Sequence, residues 1–174
     1  MDQINETGGG SKKGLYIVIV ILVILAALYF LRGSFGMMGA PYGTDINRNL
    51  DGSATYSNDE GTVTVGSNRL PENWPSDAPT YSNATIQYSG SSNPQTGAKG
   101  SAVVFTTFDS VQNVVDFYRR ELVSNGWTVE QTATIGASTV LAARKDTRTL
   151  GVYIAEAGNG QVSVTVGIEM PNSQ

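Results

Sequence analysis

Between Leu15 and Leu31 runs LYIVIVILVILAALYFL, 17 apolar or aromatic residues without a charge or a break. Lys12 and Lys13 stand before it and Arg32 follows it. A helix of that length reaches roughly 26 Å, close to the hydrocarbon thickness of a bilayer when flanking residues assist. Tyr16 near one end, and Tyr29 with Phe30 near the other, stand where interfacial aromatic side chains anchor a span. A core helix of a globular domain would carry a polar stripe, and this run has none. A secretory leader wants a shorter apolar stretch and a small-residue cleavage site, but Met38-Gly39-Ala40 lies well downstream and precedes Pro41. The run therefore predicts a transmembrane helix over residues 15–32, with Leu15, Tyr16, Tyr29, Phe30 and Leu31 at its anchoring ends and the lipid bilayer as its partner.

The lysine pair favours an N-terminus inside, which makes residues 1–14 a short cytoplasmic tail. After residue 32 the chain carries 8 basic and 13 acidic residues, so it lacks the basic footprint that nucleic acid requires. Long domains cross a membrane largely regardless of charge. The expected location is a membrane, with the N-terminus inside and the C-terminal part outside.

Residues 33–67 are rich in Gly, Ser and Asn and hold no sustained period, as expected of a flexible linker. Ala54–Tyr56 and Thr62–Val65 are able to pair there as a small hairpin. Within this stretch Asn47-Arg48-Asn49-Leu50-Asp51-Gly52 follows the opening of a calcium loop. Such a loop closes with Glu at its twelfth position, where this chain has Asn58. The segment reads instead as an Asx-rich turn.

Residues 68–174 carry the signals of a folded domain. Leu70–Tyr81 holds three prolines and is neither helix nor central strand, so Trp74 and Tyr81 are expected to lay it against the core. Strand patterns follow at Thr85–Ser89 and Ala102–Thr107. Val111, Val114, Val115, Tyr118 and Leu122 then recur at helical spacing, with Asp109 or Ser110 as cap and Asn125-Gly126 as stop. Four further strands are expected at Trp127–Thr132, Thr139–Arg144, Thr149–Ala155 and Gln161–Met170. One helical stripe laid over the apolar face of an antiparallel sheet buries both, which predicts a two-layer α+β domain in the order β-β-α-β-β-β-β.

The run Leu70–Tyr81, then Phe105-Thr106-Thr107, Val115–Tyr118 and Leu122–Trp127, resembles an uncharacterised family of bacterial membrane-anchored or lipid-anchored envelope domains with an F-Y…L…G-W signature. The resemblance covers roughly residues 60–170 and implies an envelope location and a small α+β fold, with no ligand site to carry over. Physically, its signature residues Trp74, Phe117, Tyr118 and Trp127 read as packing side chains that bracket the helix end.

Neither Cys nor His occurs, which removes thiolate nucleophiles, zinc and iron–sulfur ligation and the usual general base. Asp116 and Glu121, five apart on a helix, do not converge. No phosphate-cradling glycine loop opens a helix and no G-x-S-x-G is present. No catalytic, metal or cofactor residue is assigned. The expectation is a single-pass, membrane-anchored envelope protein displaying a non-catalytic binding or structural domain to an unknown envelope protein or ligand. The alternative is a pilin-like filament subunit processed after Gly14, since Lys12-Lys13-Gly14 precedes the apolar run; Ile19 stands where such subunits carry Glu.

Overall fold

The computed structural model describes residues 45–58, 61–91 and 99–170. They form nine antiparallel strands and one helix. β1 (Asp45–Arg48), β2 (Ala54–Asn58), β3 (Gly61–Val65), β4 (Thr85–Ser91) and β5 (Lys99–Thr107) make one meander. Helix α1 (Val111–Ser124) follows, and β6 (Thr128–Ile135), β7 (Ser138–Lys145), β8 (Arg148–Gly158) and β9 (Gln161–Met170) make a second. The sheet order is β1-β2-β3-β4-β5-β9-β8-β7-β6, so α1 carries the chain from the middle of the sheet to its far edge and the second meander returns until β9 pairs β5.

The architecture corrects the expected one. In place of a two-layer α+β domain in the order β-β-α-β-β-β-β there is a single nine-stranded sheet with three further strands ahead of that series. β2 and β3 pair where the sequence allows a small hairpin of Ala54–Tyr56 with Thr62–Val65, while β1 escapes the hydrophobic pattern because it has only four residues and is exposed along its whole length. Backbone pairing along the edge of an existing sheet, rather than burial, builds them. They stand inside the 33–67 stretch that composition assigns to a linker.

The transmembrane part of the expected fold class is corrected as well. Among the described residues no helix is long and apolar enough to cross a membrane. Their helix has 14 residues and one polar face. Residues 15–32, with Leu15, Tyr16, Tyr29, Phe30 and Leu31, and the Lys12-Lys13-Gly14 motif lie outside the described residues. The single-pass, membrane-anchored description therefore finds no support in the fold.

α1 forms because its apolar positions fall on one side: Val114, Val115, Tyr118 and Leu122 are buried while Gln112, Asn113, Asp116, Arg119 and Arg120 face water. Of the two candidate caps it is Ser110 that serves, its Oγ accepting from the Asn113 N–H at 3.2 Å. At the other end Gly126 takes φ +80°, and the Trp127 N–H reaches back to the Leu122 carbonyl at 2.9 Å. Asp116 and Arg120, at i and i+4, are spaced for an ion pair, yet the structure does not form one. Asp116 accepts instead from Gln112, and Arg120 turns to Glu121 at 3.0 Å.

The helix lies over β6, β7 and β8. On the same sheet face Val103, Val166, Val152 and Leu141 are register partners across four strands, all 3% exposed or less. Removing such side chains from water is the main favourable term in the fold. The β1–β4 half of the same face has no helix over it, and that asymmetry creates the concavities described next.

Candidate functional site

Leu70–Tyr81 crosses the sheet face between the helix-covered half and the open half. Turns closed by Trp74 N–H to the Pro71 carbonyl and Ala78 N–H to the Pro75 carbonyl, both 3.0 Å, shape it. Asp77 fastens it twice. Its main-chain carbonyl accepts from Trp127 Nε1 at 2.8 Å, and its carboxylate accepts from Arg148 at 2.9 and 2.7 Å and pairs with Lys145 Nζ at 2.7 Å. These partners, the Arg148 hydrogen bonds above all, hold the Asp77 carboxyl well below the usual carboxylate range. Sequence reasoning missed this cluster. Asp77 and Arg148 stand 71 residues apart, and no local pattern joins them.

Under that segment lies an apolar pocket of about 130 Å³, lined by Leu70, Trp74, Tyr81, Ile86, Phe105 and Tyr118 among others. The Tyr81 ring stacks on Phe105 at 5.9 Å and meets the edge of Phe117 at 4.8 Å, and Phe117 in turn meets Tyr118 at 5.2 Å. Tyr81 donates to Asp109 Oδ2 at 2.7 Å, and burial first, then this carboxylate, pushes its hydroxyl up to about 12. Tyr118 is 1% exposed, and burial holds its hydroxyl far above the ordinary tyrosine range. That hydroxyl makes no hydrogen bond among the described residues, yet no polar side-chain atom there is both sealed from solvent and unpaired. The residual opening at Tyr118 is therefore the pocket it lines.

Of the signature residues, the structure brings Trp74 and Tyr118 to the pocket wall. Trp127 is 2% exposed in the core with Arg148 5.1 Å above its ring, and Phe117 buttresses Tyr118 from outside the pocket. Phe105 and Ile86 complete the wall from β5 and β4; in the sequence they look like ordinary strand residues.

A second concavity, a groove of about 820 Å³, lies on the β1–β4 half and adjoins the pocket at Leu70. Its lining mixes hydroxyl and amide side chains with Arg48, Asp51, Arg69 and Glu72 and with the apolar Leu50, Leu70 and Pro71. Asn49 Nδ2 donates to Ser53 Oγ at 2.8 Å and to Thr55 Oγ1 at 3.2 Å, and Ser53 Oγ donates to Asp51 Oδ1 at 2.6 Å. The Ser53 hydroxyl is the main reason the Asp51 carboxyl lies below its ordinary range. The turn at Asn49–Gly52 is thus closed by Asp51 and Ser53 with Gly52 at φ +84°. Among the described residues no three His, Cys, Asp or Glu side chains group to hold a metal.

A family model described as START domain-like matches residues 86–173, just over half of the chain. No curated protein and no solved structure matches it. The matched range contains α1, β5 to β9 and most of β4, and it supplies Ile86, Val103, Phe105, Tyr118 and Val166 to the apolar pocket.

Proposed function

Because the chain belongs to the START domain-like family, we propose that its folded part is a non-catalytic binding domain that receives an apolar group in the pocket beneath Leu70–Tyr81. Domains of that kind generally bind lipids or other hydrophobic ligands. The observation that carries the reading is Tyr118: its side chain is 1% exposed, its hydroxyl has no partner among the described residues, and it lines a largely apolar pocket that Asn68 and Thr80 also border. A ligand with an apolar body and one hydrogen-bonding atom satisfies both features at once, whereas a wholly apolar ligand would desolvate the hydroxyl without replacing its hydrogen bond, at a cost in affinity.

The pocket's size bounds the ligand. At about 130 Å³ it takes one aromatic ring or a short alkyl chain, comparable to apolar cavities that admit benzene. A longer chain requires the Leu70–Tyr81 segment to lift.

The test is a titration of the ¹⁵N-labelled full chain with octanol and with indole, followed by amide shifts. Saturable shifts centred on Tyr81, Phe105 and Tyr118 support the reading, and Phe105→Trp, which fills the space, is expected to abolish them. Shifts that do not saturate, or that spread evenly over the surface, overturn it.

A further inference from the structure

We propose that the groove on the β1–β4 half is a second binding site, for a neutral ligand carrying many hydroxyls, such as a sugar ring or a short oligosaccharide. The inference goes beyond the apolar pocket and rests on different residues. Most of the groove is built from residues 47–72, ahead of the matched family range, with Ser89, Gly90 and Ser91 closing one side.

The first argument is the change of chemistry along one sheet face. Register partners share a face, so the row Asn47, Thr55, Thr64, Ser89 continues into Val103, Val166 and Val152. A second row begins at Asp45 on the edge strand and runs through Ser57, Thr62, Ser91 and Ser101 into Ile168 and Leu150. Apart from that edge carboxylate, each row is hydroxyl or amide up to β4 or β5 and aliphatic beyond. A face left merely to solvent is normally coated with long charged side chains, which keep edges soluble. Here the rows hold short side chains that both donate and accept and lose little rotamer freedom on binding.

The second argument is how these groups are already arranged. From Asp51 through Ser53 and Asn49 to Thr55 runs a continuous hydrogen-bonded chain, and Thr55 Oγ1 lies 3.2 Å from Thr64 Oγ1. From Asp51 to Thr55 such a chain orients its donors and acceptors before a ligand arrives, which lowers the ordering cost of binding. Next in the row, Ser89 is only 6% exposed and makes no side-chain hydrogen bond among the described residues. It lines the groove, and no unpaired side-chain atom among the described residues is sealed from solvent, so its hydroxyl is open to a partner from that side.

The third argument is charge. Arg48 and Arg69 at the groove are matched by Asp51 and Glu72, which disfavours a phosphate or a cation and favours a neutral ligand. No aromatic side chain lines it, so recognition is by hydrogen bonds rather than stacking. The volume of about 820 Å³ lies within the range of small-molecule sites.

The experiment is an amide-shift titration of the ¹⁵N-labelled full chain with maltose, cellobiose and N,N′-diacetylchitobiose, each to about 50 mM, enough to detect millimolar affinity. The expected result is saturable shifts for at least one sugar at Ser53, Thr55, Thr64 and Ser89, with Tyr81, Phe105 and Tyr118 unmoved. Thr64→Val, which keeps the side-chain shape, and Ser89→Ala are each expected to weaken that binding about tenfold while octanol binding stays as in the parent chain. Absence of saturation with all three sugars overturns the proposal. So do saturable shifts outside the groove, a result that needs no variant, or full affinity in both variants. Octanol binding reports separately on the apolar pocket, so failure of one site is distinguishable from failure of the other.

Discussion

Arg148 grips Asp77 with both ends of its guanidinium, Nη1 to Oδ1 at 2.9 Å and Nη2 to Oδ2 at 2.7 Å, while lying 5.1 Å over the Trp127 ring. The pair joins the start of β8 to a segment with no regular structure, and the Asp77 carbonyl takes the Trp127 indole proton as well. One short acidic side chain thus secures the wall of the apolar pocket.

This cluster predicts an acid-sensitive stability. A carboxyl whose folded-state affinity for protons is depressed stabilises the fold at pH values above its unfolded pKa of about 4, and that contribution fades as pH falls toward the lower folded value. Asp77→Asn is expected to cost about 1–2 kcal/mol at pH 7, after allowance for solvent screening of a side chain that is 25% exposed. The variant should also lose less stability than the parent chain between pH 5 and pH 3. Urea midpoints at pH 7, 5 and 3 measure both, and parallel pH profiles would sink the assignment.

Tyr81 works in the opposite direction. Its hydroxyl, pushed up to about 12, stabilises the fold fully below pH 10, and that contribution is lost as pH rises toward 12. Tyr81→Phe keeps the ring that stacks on Phe105 and removes the hydrogen bond to Asp109, at a cost of about 1 kcal/mol near neutrality. Absorbance titration should show that the variant has lost a tyrosine ionising near pH 12. A difference spectrum that instead subtracts a tyrosine ionising near pH 10 contradicts the burial argument.

At the seam where the two meanders join, Gly100 faces Glu169 across β5 and β9. A Cβ placed on Gly100 would come within 2.7 Å of the Ile168 carbonyl oxygen, a backbone atom that cannot step aside without moving β9. Gly100→Ala is expected to lower stability by about 1–3 kcal/mol in chemical denaturation. A variant as stable as the parent would show that the seam is looser than drawn.

The helix offers an internal comparison. Leu122 is fully buried and neighbouring Val123 is 62% exposed. Leu122→Ala should cost about 2–5 kcal/mol through lost burial and the cavity left behind, whereas Val123→Ala should stay within about 0.5 kcal/mol. Thermal melts of the two variants decide it; similar losses would mean that α1 is not seated on the sheet as described.

Elements with a strong internal period were the legible ones. Val111, Val114, Val115, Tyr118 and Leu122 carry the helical spacing in the chain itself, and Val162 to Met170 alternate with period 2, so those patterns can be read without knowing what they touch. β1 is hard to read as sheet because four exposed residues give no period to detect, and the short β2 and β3 are legible only as a small hairpin within a linker. Their existence depends on β4 offering an edge to pair with.

What the sequence alone determined, then, is the identity of the amphipathic stripes, the turn chemistry and the absence of Cys and His, since each of these is a local property of the chain. Only the tertiary structure decided that Asp77 meets Arg148, that the unpartnered Tyr118 hydroxyl lines an apolar pocket, and that hydroxyls from β1 to β4 line one groove. Those relationships join residues far apart in the chain, and the order of strands across a sheet sets which of them become neighbours.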